Sequence, residues 1–256
     1  MDAIITAGGT LKPEDPLFEQ TGVAKKALIP LAGKPMVGWV YDAVRGSGIV
    51  ENIAMVGLDP QEFPVDDDRL YFVETRGNLL DNVFAGLDQL KELNPEVKKF
   101  LLFSSDIPLI TPEIVRGFVE ECGDQSGDFY YAGIEERTME ARFPNSRRSY
   151  VPFKGGRYCG GDAFLIDVAA SYGNIELARQ LTGTRKNYLA QLMLTNIGFM
   201  IRFLFRRMTI HETAVRAADM VGFNPRAVDT KYAELGMDLD KPRQYEMIKA
   251  ELEQRR

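Results

Sequence analysis

Four short stretches, far apart in the chain, combine residue types that can handle phosphate chemistry. The first is Ala7-Gly8-Gly9-Thr10, which follows the apolar run Ala3-Ile4-Ile5. A β-favouring run that breaks into paired glycines predicts a strand ending in a tight loop. Such a loop can bring backbone N–H groups against a phosphate, although a plain turn has the same composition. It meets neither the dinucleotide fingerprint nor the P-loop pattern. The second stretch, Ser104-Ser105-Asp106-Ile107-Pro108-Leu109, ends the most strand-like run in the chain. A carboxylate in that position must be solvated or paired with a cation. It either caps the following turn or serves as a ligand for Mg²⁺, which takes one or two carboxylates together with substrate phosphates.

The third stretch is Asp238-Leu239-Asp240-Lys241-Pro242. Two aspartates at i and i+2 on a strand share a face. Asp240 would also suit the N-cap of a helix opened by Pro242, whereas Asp238 has no such use. The fourth is Lys25-Lys26-Ala27-Leu28-Ile29-Pro30-Leu31-Ala32-Gly33-Lys34-Pro35-Met36. Loop lysines usually belong to solvated faces. The apolar run after Lys26, however, would hold its stem and aim the ammonium back at Gly8-Gly9.

The elements needed to gather these residues alternate along the first two-thirds of the chain. Residues 35–48 read as a helix ending at Gly46 or Gly48, Asn52–Gly57 and Leu70–Glu74 as strands, and Asn78–Leu93 as a helix. Lys98–Asp106 is a strand, and Thr111 with Pro112 marks the next helix start. This βαβα rhythm predicts an α/β fold of three layers, αβα, around a mostly parallel, doubly wound sheet. Ligands of such sheets bind at the carboxyl ends of the strands, where Gly8-Gly9 and Asp106 both fall. Beyond Phe129 the texture changes to antiparallel strands over 129–135 and 149–156 and a strand entered through glycines over 160–167, then a helical pattern over about 169–222, a strand near Arg226–Tyr232 and a final helix from Arg243 to Glu253. With no linker or internal repeat, residues 1–256 read as a single domain carrying a helical insertion.

At 256 residues, 45% hydrophobic and 27% charged, the chain can bury a sizeable core. A net charge of −6 argues against a broad nucleic-acid footprint. Cys122 and Cys159 offer neither a disulfide framework nor metal-knuckle spacing. The one histidine, His211, sits between Thr209 and Glu212, a capping-box pair that places it in a first helical turn. The opening MDAIIT lacks a basic or long apolar leader, which leads to the expectation of a soluble cytoplasmic protein.

Taken in order, Ala7-Gly8-Gly9, the Lys26–Met36 stretch, SSDIPL and DLDKP closely resemble the motifs of the MobA-like nucleotidyltransferases, over roughly residues 2–167 and 226–252. The resemblance implies a nucleotide-diphospho-sugar transferase or GT-A-like fold. The implied reaction is transfer of NMP from an NTP to a phosphorylated or hydroxyl small-molecule acceptor, with release of pyrophosphate. It also assigns roles. Ala7, Gly8, Gly9, Thr10 and Lys12 would wrap the triphosphate with Lys26, and Ser105 would lie beside it. Asp106 would bind Mg²⁺, with Asp238 favoured as second ligand and Asp240 close behind. Gly77, Asn78 and Asn82 fall where relatives read the base, and Gly160, Gly161 and Asp162 where they approach the acceptor. The family's Gly-x-x-Arg-Met is replaced by Thr10-Leu11-Lys12-Pro13, so Lys12 stands in as a point charge, and Glu14, Asp15 and Glu19 crowd the loop. A GT-A glycosyltransferase and a non-catalytic nucleotide binder are the alternatives. The apolar run at 189–207, ending in arginines, reads as a buried or homodimer-interface helix, or as one that meets a membrane surface or a phosphorylated acceptor.

Overall fold

The computed structural model describes residues 1–173, 209–212 and 224–255. The centre of its sheet is β1 (Asp2–Thr6), with β4 (Ile53–Val56) parallel on one side and β6 (Lys99–Ser104) parallel on the other. β5 (Leu70–Val73) extends the parallel run beyond β4, while β2 (Pro30–Leu31) and β3 (Lys34–Pro35) pair antiparallel apart from this sheet. Strands covered on both faces must be apolar throughout, and β4 is buried at all four positions.

Side chains alternate between two cores. Ile4, Ala54, Val56 and Phe100 point to one face, against α3 (Leu79–Leu93) and α6 (Val168–Gly173). Ala3, Ile5, Met55, Leu101 and Phe103 point to the other, against α2 (Met36–Gly46), α4 (Pro112–Glu121) and α7 (Pro242–Gln254). That is the three-layer arrangement expected. The helix starts follow local chemistry. Asn78 caps α3 by accepting from the Asp81 N–H at 3.0 Å, and Thr111 caps α4 with Pro112 at its first position.

Past β6 the sheet is mixed. β9 (Gly156–Asp167) runs antiparallel to β6 and also to β7 (Phe129–Glu135), and β10 (Pro225–Asp229) lies parallel to β7 at the edge. β8 (Val151–Phe153) folds back onto β9 through a turn containing Gly155 at φ +96°. β9 begins at Gly156, earlier than the 160–167 read from the sequence, and Gly160, Gly161 and Asp162 belong to it as expected. Because Ala163 pairs with Phe103, this part of β9 lies beside the carboxyl end of β6.

The capping box before His211 is present: Thr209 N–H donates to the Glu212 carboxylate at 2.7 Å, and Glu212 N–H to the Thr209 hydroxyl at 3.1 Å. Most of the expected helical insertion, including the apolar run at 189–207, lies outside the described residues. Among the described residues no helix is long and apolar enough to cross a membrane.

Candidate active site

The carboxyl ends of β1 and β6 stop at the same level, Thr6 opposite Ser104. From β1 the chain enters the glycine loop. Ala7 still donates to the Val56 carbonyl at 2.8 Å, and Leu11 to the Ala24 carbonyl at 2.7 Å, but among the described residues the N–H groups of Gly8 and Gly9 between them find no backbone acceptor. Two adjacent unpaired amides at the end of a central strand form the donor set a phosphate requires. The loop is held by crossing backbones. A Cβ on Gly57, whose φ is +103°, would lie 2.3 Å from the Gly8 Cα. Asn82, buried on α3, braces the other side by accepting from the Thr75 hydroxyl at 2.9 Å and the Arg76 N–H at 2.7 Å. Gly77, at φ +103°, turns the chain from there into the Asn78 cap. Of the residues expected to read the base, Asn82 thus lies against the glycine loop.

The three lysines separate cleanly. Lys25 pairs with Glu62 at 2.5 Å, and Lys34 pairs with Asp42 and lies over the Trp39 ring. Lys26 donates its N–H to the Gly9 carbonyl at 3.0 Å, and its ammonium meets Asp106 Oδ2 at 2.7 Å and Asp240 Oδ1 at 2.5 Å. Burial would lower the ammonium's pKa, but the two carboxylates outweigh it and hold the group above its ordinary value. Lys12 is exposed, on the loop between Thr10, which pairs with Lys25, and α1 (Pro16–Thr21). Asp15 does not face the site, because its carboxylate caps α1 by accepting from Leu17 N–H at 2.8 Å.

Asp238 and Asp240 reach the same place by a backbone link. Between them, fully buried Leu239 donates its N–H to the Asp106 carbonyl at 2.8 Å. The segment forms no strand, contrary to the sequence reading. Asp240 also does not cap the last helix. Lys241 occupies the cap position, and the Gln244 side chain instead accepts from the Asp240 N–H at 2.9 Å. That leaves the Asp240 carboxylate to Lys26.

Asp162 lies near enough to Asp106, Arg148, Asp240 and Lys26 to feel their charges. Burial, and then Asp106, push its carboxyl up to about 7. Gly160 leaves open space where a side chain would be, but a Cβ at buried Gly161 would come within 2.9 Å of Ala132 Cβ and the Leu235 carbonyl. Gly161 therefore packs closely against its neighbours and has no room for a side chain. Buried Ser105 lies on the turn just before Asp106, its N–H donating to the Thr6 carbonyl at 3.1 Å. Sequence reasoning missed Arg148, which pairs with Asp238 and donates to the Gly160 carbonyl at 3.3 Å. It comes from the surface-like run Asn145-Ser146-Arg147-Arg148, which offers no periodic signal.

The cluster suits a divalent cation. Among the described residues no three metal-ligating side chains converge closely enough to hold an ion alone. A Mg²⁺ that takes one or two carboxylates and completes its shell with phosphates needs no such trio. Asp106 Oδ1 is buried without a hydrogen-bond partner, a costly state that a cation would relieve.

A glycine loop with free amides, an inward lysine and carboxylates at the carboxyl ends of a doubly wound sheet define a nucleotide-handling α/β transferase fold. The chain belongs to the MobA-like NTP transferase domain family, whose model matches residues 18–187. A solved hypothetical transferase structure from Thermus thermophilus superposes with a TM-score of 0.79 at 30% identity, covering 95% of this chain and 98% of that one. The 3-deoxy-manno-octulosonate cytidylyltransferase of Synechococcus elongatus is 29% identical over 207 residues, 69% of this chain and 81% of its own. The bifunctional protein GlmU of Geobacter metallireducens is 26% identical over 234 residues, covering 79% of this chain but 44% of GlmU. The chain therefore spans under half the length of that relative.

Proposed function

We propose that this enzyme transfers the nucleotidyl group of an NTP to an oxygen of a small-molecule acceptor and releases pyrophosphate. The observation that carries this reading is the convergence of Lys26 on Asp106 and Asp240, with the Lys26 backbone N–H bonded to the Gly9 carbonyl of the glycine loop. The Gly8 and Gly9 N–H groups would cradle the triphosphate, with Lys26 stabilising charge that grows on the equatorial and leaving oxygens as the acceptor oxygen bonds to the α-phosphorus and the α–β bridge breaks. Asp106 and Asp238, with Asp240 beside them, would hold Mg²⁺, which when bound neutralises phosphate charge and orients the α-phosphate. The bracing of the glycine loop by Asn82 and Gly57 fixes the donors before the nucleotide arrives, so little reorganisation accompanies reaction.

A phosphate acceptor arrives ionised and needs no base. A hydroxyl acceptor could hand its proton to Asp162, whose carboxyl titrates near neutrality. The relatives' printed names include a cytidylyltransferase, so CTP is the first donor to test. Incubating the protein with each of the four NTPs, Mg²⁺ and a panel of sugar phosphates and sugar acids should release pyrophosphate with one base and one acceptor class. Nucleotide binding without pyrophosphate from any member of the panel would favour the non-catalytic alternative.

A further inference from the structure

We propose that Arg148 is the clamp for an oxyanion on the acceptor, and that Asp238 keeps it closed until that carboxylate turns to the divalent cation. This rests on the nucleotidyl-transfer reading and names the acceptor's chemistry: it carries a phosphate or carboxylate. Arg148 lies on the loop between α5 (Glu136–Arg142) and β8, and that loop is built to present it. The Glu140 carboxylate accepts from Asn145 N–H at 2.8 Å, the Ser146 hydroxyl at 2.9 Å and the Tyr150 hydroxyl at 2.8 Å, so the chain is anchored on both sides of Arg148. Asn145 and Arg147 both adopt positive φ, 62° and 57°, and the resulting turn accompanies an Arg148 side chain that is 17% exposed.

The guanidinium is under-used where it lies. It pairs with Asp238, meets the Cys159 thiol and makes a 3.3 Å bond to the Gly160 carbonyl, while among the described residues its buried Nε has no hydrogen-bond partner. A guanidinium offers five N–H groups in a planar fork that matches phosphate or carboxylate. Next to it, the space above Gly160 is clear to 4 Å. Four carboxylates, Asp106, Asp162, Asp238 and Asp240, face two cations here, Lys26 and Arg148. Arg148 is thus the internal counter-charge of Asp238, and once that carboxylate turns to a metal the fork is free for an anion. Acceptor binding then follows metal–nucleotide binding.

Inorganic phosphate, with acetate as the carboxylate arm, tests this by thermal shift of the full chain. Under Mg²⁺ and a saturating non-hydrolysable analogue of the best NTP, which occupies the glycine loop, phosphate or acetate should stabilise the wild type further. Arg148→Gln should weaken that effect at least about tenfold while keeping the nucleotide shift, with Arg148→Lys in between. Asp238→Asn should bind the same anion without metal or nucleotide, about tenfold tighter than wild type, and Asp238→Asn/Arg148→Gln should lose the gain. Whichever anion wins identifies the source. Equal anion affinity in wild type and Arg148→Gln, or no gain in Asp238→Asn, overturns the proposal. Failure of every NTP to stabilise the wild type would sink the nucleotidyl-transfer reading instead, and the metal-free Asp238→Asn comparison would still decide the role of Arg148.

Discussion

Lys26 and Lys25 are neighbours in sequence with opposite fates, one drawn between Asp106 and Asp240 and the other tied to Glu62. Lys26→Ala should therefore lower pyrophosphate release by about 10²–10³, the usual loss for one preorganised charge-stabilising group. Lys25→Ala should stay within a few-fold, and a reversed ranking in steady-state assays would place the wrong lysine in the site. Asp162 gives a pH-dependent test. Its carboxyl is raised to about 7 in the folded protein, first by burial and then by Asp106, against ~3.9 for a free aspartate. The protonated acid is thus favoured by folding. Its contribution is intact below pH ~4 and is lost as pH rises to about 7, by up to ~4 kcal/mol at ~1.4 kcal/mol per unit. In metal-free protein, Asp162→Asn should raise Tm over wild type at pH 8 and match it at pH 4. A difference that does not vary with pH would contradict that environment.

At the scale of elements, the site depends on how closely backbones cross. Gly57 lies at φ +103° with no room for a Cβ against the Gly8 backbone. Gly57→Ala should cost at least about 2 kcal/mol in urea unfolding and displace the glycine loop, so that nucleotide binding weakens as well. Wild-type stability would show that the two loops do not cross as described. The strands and helices of the first two-thirds could be read from the sequence because each rests on local signals, such as the Thr111-Pro112 start and the fully apolar β4. Strand order could not be read, because the antiparallel passage of β9 between β6 and β7 is fixed by pairings more than 20 residues apart in sequence. The Asp240 cap was misread for a related reason. Local chemistry favours it, but Lys26, 214 residues away, meets that carboxylate.

For the whole molecule, the acidic balance of −6 coexists with a site proposed to hold a triphosphate, and local placement resolves the tension. Asp15 caps α1, and Lys26, Arg148 and the unpaired amides face inward. Gly8-Gly9 and Asp106 were expected to meet because a doubly wound sheet gathers its strand ends at one edge, and the resemblance carried by the order of the four motifs implied that Lys26 and Asp238–Asp240 join them. Arg148 remained hidden because its partner, Asp238, is 90 residues away and its own loop looks like ordinary surface. The family match spans residues 18–187, so the glycine loop and Asp238–Asp240 are joined to it by the structure's own contacts. The most direct measurement is the thermal shift produced by ATP, GTP, CTP and UTP with and without Mg²⁺, in wild type and Asp106→Asn. A Mg²⁺-dependent shift selective for one base, and lost in Asp106→Asn, is the predicted result. Shifts that need no Mg²⁺, or that survive in Asp106→Asn, would contradict a metal–triphosphate site at the end of β6.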